Sequence, residues 1–127
     1  MLDHIGIAVH SQPQSRQFYQ AALAPLGITV VMEVGKERTG LPYDYTGFGA
    51  NGKPFFWISE GTVDRPVHLA FAAETRAQVD AFHAAALKAG ARDNGAPGVR
   101  AHYHPHYYGA FVIDPNGINL EAVCHKP

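Results

Sequence analysis

His4-Ile5-Gly6-Ile7-Ala8-Val9 and, 64 residues further on, His68-Leu69-Ala70-Phe71-Ala72-Ala73 are the stretches on which the fold turns. In Asp3–Val9 the bulky Ile5, Ile7 and Val9 alternate with His4, Gly6 and Ala8. In Val67–Ala73 the bulky Val67, Leu69 and Phe71 alternate with His68, Ala70 and Ala72. Period-two alternation marks a strand. Each strand therefore has one apolar face to carry a helix, and one face of small residues, headed by a histidine, that leaves room for something else. The match continues without a gap over about 25 positions, pairing Gln14 with Gln78, Phe18 with Phe82, and Ala21-Ala22-Leu23 with Ala85-Ala86-Leu87. Ser11-x-x-Gln14 and Thr75-x-x-Gln78 both read as capping boxes that open a helix. The chain is an internal repeat.

Working outward from the repeat, the spacing predicts helices over Gln12–Leu26 and Arg76–Ala89, the second closed by Gly90. Ser15, Phe18, Tyr19, Ala22 and Leu26 form the inward stripe of the first; Val79, Phe82, His83, Ala86 and Leu87 form that of the second. Strand-like segments follow each helix: Ile28–Val34, Tyr43–Gly49 and Pro54–Ser59, then a weak Gly98–Tyr103, Tyr108–Ile113 and Ile118–Cys124. Asn51-Gly52 and Asp114-Pro115-Asn116-Gly117 join the last two strands of each half. Asn94–Gly98 reads as a turn-rich connector. The expected fold is α+β: two βαβββ modules, about 1–60 and 66–127, forming one domain over 1–127 with a curved mixed sheet around a cavity.

Composition narrows the function. With 127 residues, 46% of them apolar and 17% charged, the chain can bury a core. A net charge of −1 excludes nucleic acid or an anionic membrane as the main partner. Its one cysteine, Cys124, excludes an internal disulfide. No apolar run is long enough to span a bilayer, and the first residues lack the pattern of a signal peptide, so a cytoplasmic protein is expected. The unusual feature is eight histidines.

Glu121 stands in the otherwise apolar Ile118–Val123, where a carboxylate is costly to bury unless paired or metal-bound. By itself it fits a solvent-facing strand position equally well. The repeat adds His4 and His68 at equivalent strand heads on the small-residue faces. Two histidines and a carboxylate converging on an open sheet make a divalent-metal site, with Zn, Mn, Fe, Ni and Co all compatible. The segment 101–108 carries His102, His104 and His106 among Tyr103, Tyr107 and Tyr108. It fits a separate metal cluster, a surface loop, or groups beside the metal, with His102, His104 and Tyr107 the candidates for acid, base or substrate contacts. Tyr45, Trp57 and Arg100 are candidates for the substrate wall. His83 reads as a structural helix histidine, and His10 and His125 as exposed strand-end residues.

Two βαβββ modules, a histidine at the head of each first strand, and Asp114-Pro115-Asn116-Gly117-Ile118-Asn119-Leu120-Glu121 resemble the vicinal oxygen chelate superfamily. That group includes glyoxalase I, extradiol dioxygenases, and fosfomycin and bleomycin resistance proteins. The resemblance implies one divalent metal per site, held by His4, His68 and Glu121, and a small-molecule substrate chelating it through two neighbouring oxygens. Lyase, transferase and dioxygenase chemistry are all implied by different members, and metal-free ligand sequestration of the bleomycin-resistance type is the alternative. Glyoxalase I carries a further Glu on the last strand of its first module. Aligning the turns puts Phe56 at that place, which favours a three-ligand site. The resemblance also implies a homodimer with exchanged modules, His4 from one chain meeting His68 and Glu121 of the other across the connector Glu60–Arg65.

Overall fold

The computed structural model describes residues 2–40, 43–63 and 67–127. Asp64 and Arg65 of the connector lie outside them. The first module runs β1 (Ile5–Val9), α1 (Gln12–Leu23) with a 3₁₀ turn at Ala24–Leu26, β2 (Thr29–Val34), a one-turn α2 (Lys36–Thr39), β3 (Tyr45–Ala50) and β4 (Lys53–Glu60). The second runs β5 (His68–Ala72), α3 (Arg76–Lys88), β6 (Arg92–Val99), β7 (Tyr108–Ile113) and β8 (Asn119–Cys124). The two sheets have one plan: β1-β4-β3-β2 and β5-β8-β7-β6, each with a parallel first pair and antiparallel remainder. They remain two separate sheets, not closed on each other.

Local chemistry sets the element ends. Both expected caps form: the Gln14 N–H donates to Ser11 Oγ (3.3 Å), and the Gln78 N–H to Thr75 Oγ1 (3.1 Å). Asn51 and Gly52 both take positive φ (53° and 73°), as a two-residue hairpin turn requires. The helical reading of residues 24–26 gives way to a tighter turn, because Pro25 cannot donate the next helical bond. β6 corrects the expectation over 92–103. Arg92–Val99, including the supposed connector Asn94–Gly98, is a strand, whereas 100–107 is the hairpin tip. Register shifts beside Gly95 and Gly98, and the edge position, let this Gly- and Pro-rich segment pair with β7.

The apolar faces of both sheets bury into one core, with α1 lying on β4 and β2, α3 on β6, β7 and β8, and the two helices against one another. Phe18, Tyr19, Phe48, Phe56 and Phe71 make a chain of aromatic contacts that crosses between modules at Phe56–Phe71 (ring centroids 5.3 Å). Each fully buried Phe contributes about 1.5–3 kcal/mol of transfer free energy. Leu87, expected on the inward stripe, is 37% exposed; Val79, Phe82 and Ala86 carry that contact.

A buried polar clamp also joins the modules. Tyr19 of α1 donates its hydroxyl to Asp114 Oδ2 (2.6 Å), and Asn116 donates to Ser15 Oγ (3.0 Å). Asp114 Oδ1 accepts the N–H groups of Asn116 and Ile118 (2.8 and 2.7 Å), holding the turn that leads into β8. The His10 N–H closes the set on Asn116 Oδ1 (2.7 Å).

Candidate functional site: a histidine and carboxylate pair on the open face

The helices take one face of each sheet, and the chemistry lies on the other. On β5 the exposed residues are His68, Ala70 and Ala72, while Leu69 and Phe71 are buried in the core. Glu121 of β8 is in register with Ala70 and with Phe111 of β7, so its side chain shares the open face. Its carboxylate is nonetheless only 2% exposed, because His68 and Tyr107 cover it. Oε2 lies 3.0 Å from His68 Nε2, and Oε1 accepts a short hydrogen bond from the Tyr107 hydroxyl. Burial and the Glu121 carboxylate push the Tyr107 phenol well above its ordinary pKa, so Tyr107 is the donor of that bond.

The protons of His68 decide what the pair is suited to. Nδ1 lies 3.2 Å from the backbone oxygen of Asn119, which can only accept, so Nδ1 carries a hydrogen. In a neutral ring Nε2 is then a lone pair facing a carboxylate oxygen. A proton or a cation must lie between these two acceptors. Two donors about 2.1 Å from one ion, at right angles, stand about 3.0 Å apart, which is the separation observed. An imidazole nitrogen with its far N–H fixed on a carbonyl, beside a carboxylate fixed by a phenol, is a donor set that fits a borderline divalent ion.

Around the pair a pocket of about 340 Å³ is lined by His68, Tyr103, Tyr107, Phe111 and Glu121. The His68 ring stacks on Phe111 (6.2 Å, 22°), and the Arg100 guanidinium also lies over Phe111 (5.5 Å). Arg100 donates to the carbonyls of Gly98 (2.9 Å) and Ala96 (2.7 Å), so it stiffens the wall with its charge turned to backbone. Gly109 leaves room beneath the pair: a Cβ there would lie 3.1 Å from the Tyr107 ring and 3.2 Å from Glu121 Oε1, tight enough that one of them must shift. Tyr103 and Gly109 were missed by sequence reasoning; a glycine inside a strand, where something must approach closely, was the available signal.

The other expected residues lie elsewhere in the chain. His4 stands just before β1 on the first module. Its Nδ1 is 2.8 Å from Asp3 Oδ2, and among the described residues Nε2 has no partner. Lys53, bonded to Asp3 (2.8 Å), and His4 together hold the Asp3 carboxyl below its usual range. His4 and His68 border one larger apolar groove of about 580 Å³, but among the described residues no three His, Cys, Asp or Glu side chains form a ready metal group. Tyr45 borders a separate polar crevice with Arg16 and Glu33. Trp57 packs its ring against Gly47, where a Cβ would come within 2.8 Å of it. His102 and His104 sit on the exposed hairpin tip, where His102 packs on Tyr103 (4.2 Å). His83 bonds Asp93 (2.9 Å), away from the pair.

Register corrects one expectation. Gly6 pairs with Trp57 as Ala70 pairs with Glu121, so Trp57, not Phe56, is the counterpart of Glu121. Phe56 points into the core.

The model of the Glyoxalase/Bleomycin resistance protein/Dioxygenase superfamily matches residues 1–122. The chain belongs to this superfamily. Among curated proteins none matches it significantly. Solved superfamily structures are similar over nearly their whole length. A glyoxalase/bleomycin resistance protein from Albidiferax ferrireducens is 27% identical, with TM-score 0.74, covering 98% of this chain and 97% of that one. A glyoxylase/bleomycin resistance protein/dioxygenase domain from Frankia is 20% identical, with TM-score 0.74, covering 99% and 92%. The fosfomycin resistance protein FosX from Listeria monocytogenes, complexed with Mn(II) and sulfate, is 17% identical, with TM-score 0.68, covering 98% and 91%. Among the described residues of this superfamily member no helix is long and apolar enough to cross a membrane.

Proposed function

We propose that this chain is a cytoplasmic, metal-dependent enzyme acting on a small molecule with two neighbouring oxygens. Its site would be completed across a homodimer. The observation that carries the reading is the approach of His68 Nε2 to the buried Glu121 Oε2, 3.0 Å apart. His4 of a second copy is the third ligand in this proposal. Its support is that His4 matches His68 in the repeat and, like it, has Nδ1 engaged, while its Nε2 has no partner among the described residues. A bound divalent ion would act there as a Lewis acid on the substrate oxygens. In this reading Tyr107 orients Glu121, Phe111 backs His68, and Trp57 of the facing module supplies an aromatic wall where glyoxalase I has its further carboxylate. Three protein ligands leave positions free for both substrate oxygens.

The test mixes His4→Ala chains with Glu121→Gln chains after denaturation and refolding. Each parent dimer lacks every complete site. Random pairing makes roughly half of the dimers mixed, and each mixed dimer has one complete site. Recovery of metal binding in the mixture, read by calorimetry with Mn²⁺ or Zn²⁺, supports the shared site. Folded mixed dimers without recovery overturn it. No metal binding by the unaltered protein would favour the ligand-sequestering alternative.

A further inference from the structure

Half of the chain's eight histidines gather outside the site just described. His102, His104 and His106 lie on the tip between β6 and β7, and His125 follows β8. The tip is well defined by its backbone: the Arg100 N–H donates to the Tyr107 carbonyl (2.7 Å), the Tyr103 and His104 N–H groups to the Arg100 carbonyl (2.9 and 3.3 Å), and the Tyr107 N–H to the His104 carbonyl (3.0 Å). This arrangement puts His104 at the centre of an imidazole cluster, its ring 5.6 Å from that of His125 and 6.1 Å from that of His106. Tyr107 packs on the His125 ring (5.3 Å) and so separates the cluster from Glu121.

We propose that His104 and His125, with His106 as a third donor, form a second transition-metal site, distinct from the His68–Glu121 pair. Two imidazoles on one ion with bonds of about 2.1 Å have ring centres about 5 Å apart. The observed separations exceed this by about 0.5 to 1 Å, a change within reach of a small side-chain rotation. All three residues are exposed, so the rotation gives up only part of the His125 contact with the Tyr107 ring and the His106 N–H bond to His104. The His106 N–H donates to His104 Nδ1 (3.1 Å). Coordination through His104 Nε2 moves the ring proton to Nδ1 and frees an N–H that water can take up. An all-imidazole set selects Cu²⁺, Ni²⁺ and Zn²⁺ over Mg²⁺ or Ca²⁺, with Cu²⁺ tightest. The ring nitrogens must be unprotonated, so binding weakens as pH falls through the histidine range.

The experiment uses the full chain carrying His68→Ala and Glu121→Gln, which removes the first site, titrated with Ni²⁺ by calorimetry. One ion per chain is expected, with affinity reduced at least tenfold by further His104→Ala or His125→Ala and unchanged by His10→Ala. Melting curves of the metal-free variants should coincide, since the substituted tip residues are exposed. Absence of Ni²⁺ binding in the doubly substituted chain, or binding indifferent to both His104→Ala and His125→Ala, overturns the second site. Failure of the first site appears instead as unchanged Mn²⁺ binding on Glu121→Gln, so the two readings fail separately.

Discussion

Replacing Glu121 by Gln separates a residue kept for a ligand from one kept for the fold. In the metal-free protein the buried carboxylate is satisfied by the Tyr107 hydroxyl and faces His68 Nε2. A glutamine there still accepts from Tyr107, and its amide can donate to the Nε2 lone pair, so no hydrogen bond is lost and a buried charge disappears. The cost of such a swap is within about 1 kcal/mol of zero, and its sign favours the variant. For a chain of this length that is a shift of about 3–6 °C at most in Tm. Metal at a hundred times its Kd should raise the stability of the unaltered protein by about 2.7 kcal/mol. Without the anionic ligand, most of that increment should vanish. Scanning calorimetry after chelation, then with Mn²⁺ restored, reads both quantities; a His104→Ala background keeps the histidine-rich tip out of the measurement. A metal-free variant destabilised by more than about 3 kcal/mol, the penalty for breaking a buried pair, would make Glu121 a structural residue. An unchanged Mn²⁺ increment would refute the ligand role directly.

Three further outcomes are expected. Gly109→Ala should push Tyr107 off Glu121 and weaken Mn²⁺ binding about 10- to 100-fold, as loss of an orienting partner does; Tyr107→Phe should act in the same direction without crowding the strand, and both are read by calorimetry. Trp57 is the only tryptophan, so quenching of its emission by Cu²⁺ at the shared site should disappear with Glu121→Gln in the His104→Ala background. Burial and Asp114 raise the Tyr19 phenol well above its ordinary pKa, so above about pH 10 the unfolded chain ionises first and binds fewer protons than the native one. Stability should then fall with rising pH by up to about 1.4 kcal/mol per unit from this group, and alkaline melts of Tyr19→Phe should show a shallower slope.

The repeated cap-and-strand pattern was legible because each signal is local: an alternating strand, a capping oxygen and a turn glycine all act within a few residues. His68 and Glu121 were legible as a pair because strand parity and the repeat jointly fix their face. The counterpart of Glu121 was not. Counting forward from the turn glycines gives Phe56, but β4 carries an extra residue: Phe48 pairs with Phe56 and Gly49 with Pro54, leaving Phe55 bulged out. One bulged residue moves the open face from Phe56 to Trp57, and nothing in the composition of Lys53–Glu60 announces it. β6 was hidden for a related reason. An edge strand interrupted by register shifts tolerates the glycines and proline that otherwise mark a loop. The separation of His4 from Glu121 depends on how the modules sit against each other, which no period in the sequence encodes.

The clamp of Asp114 and Asn116 on Tyr19 and Ser15 runs in one direction only. In the repeat, Ser15 corresponds to Val79 and Tyr19 to His83, and the reversal at Asn51-Gly52 has no aspartate to reach across. One half has become the plug and the other the socket. A chain assembled from two first halves would have sockets with nothing to fill them, and one from two second halves would have plugs with nowhere to dock. The symmetry that the histidines display is broken at the seam, and separately produced halves should therefore re-associate as unlike pairs.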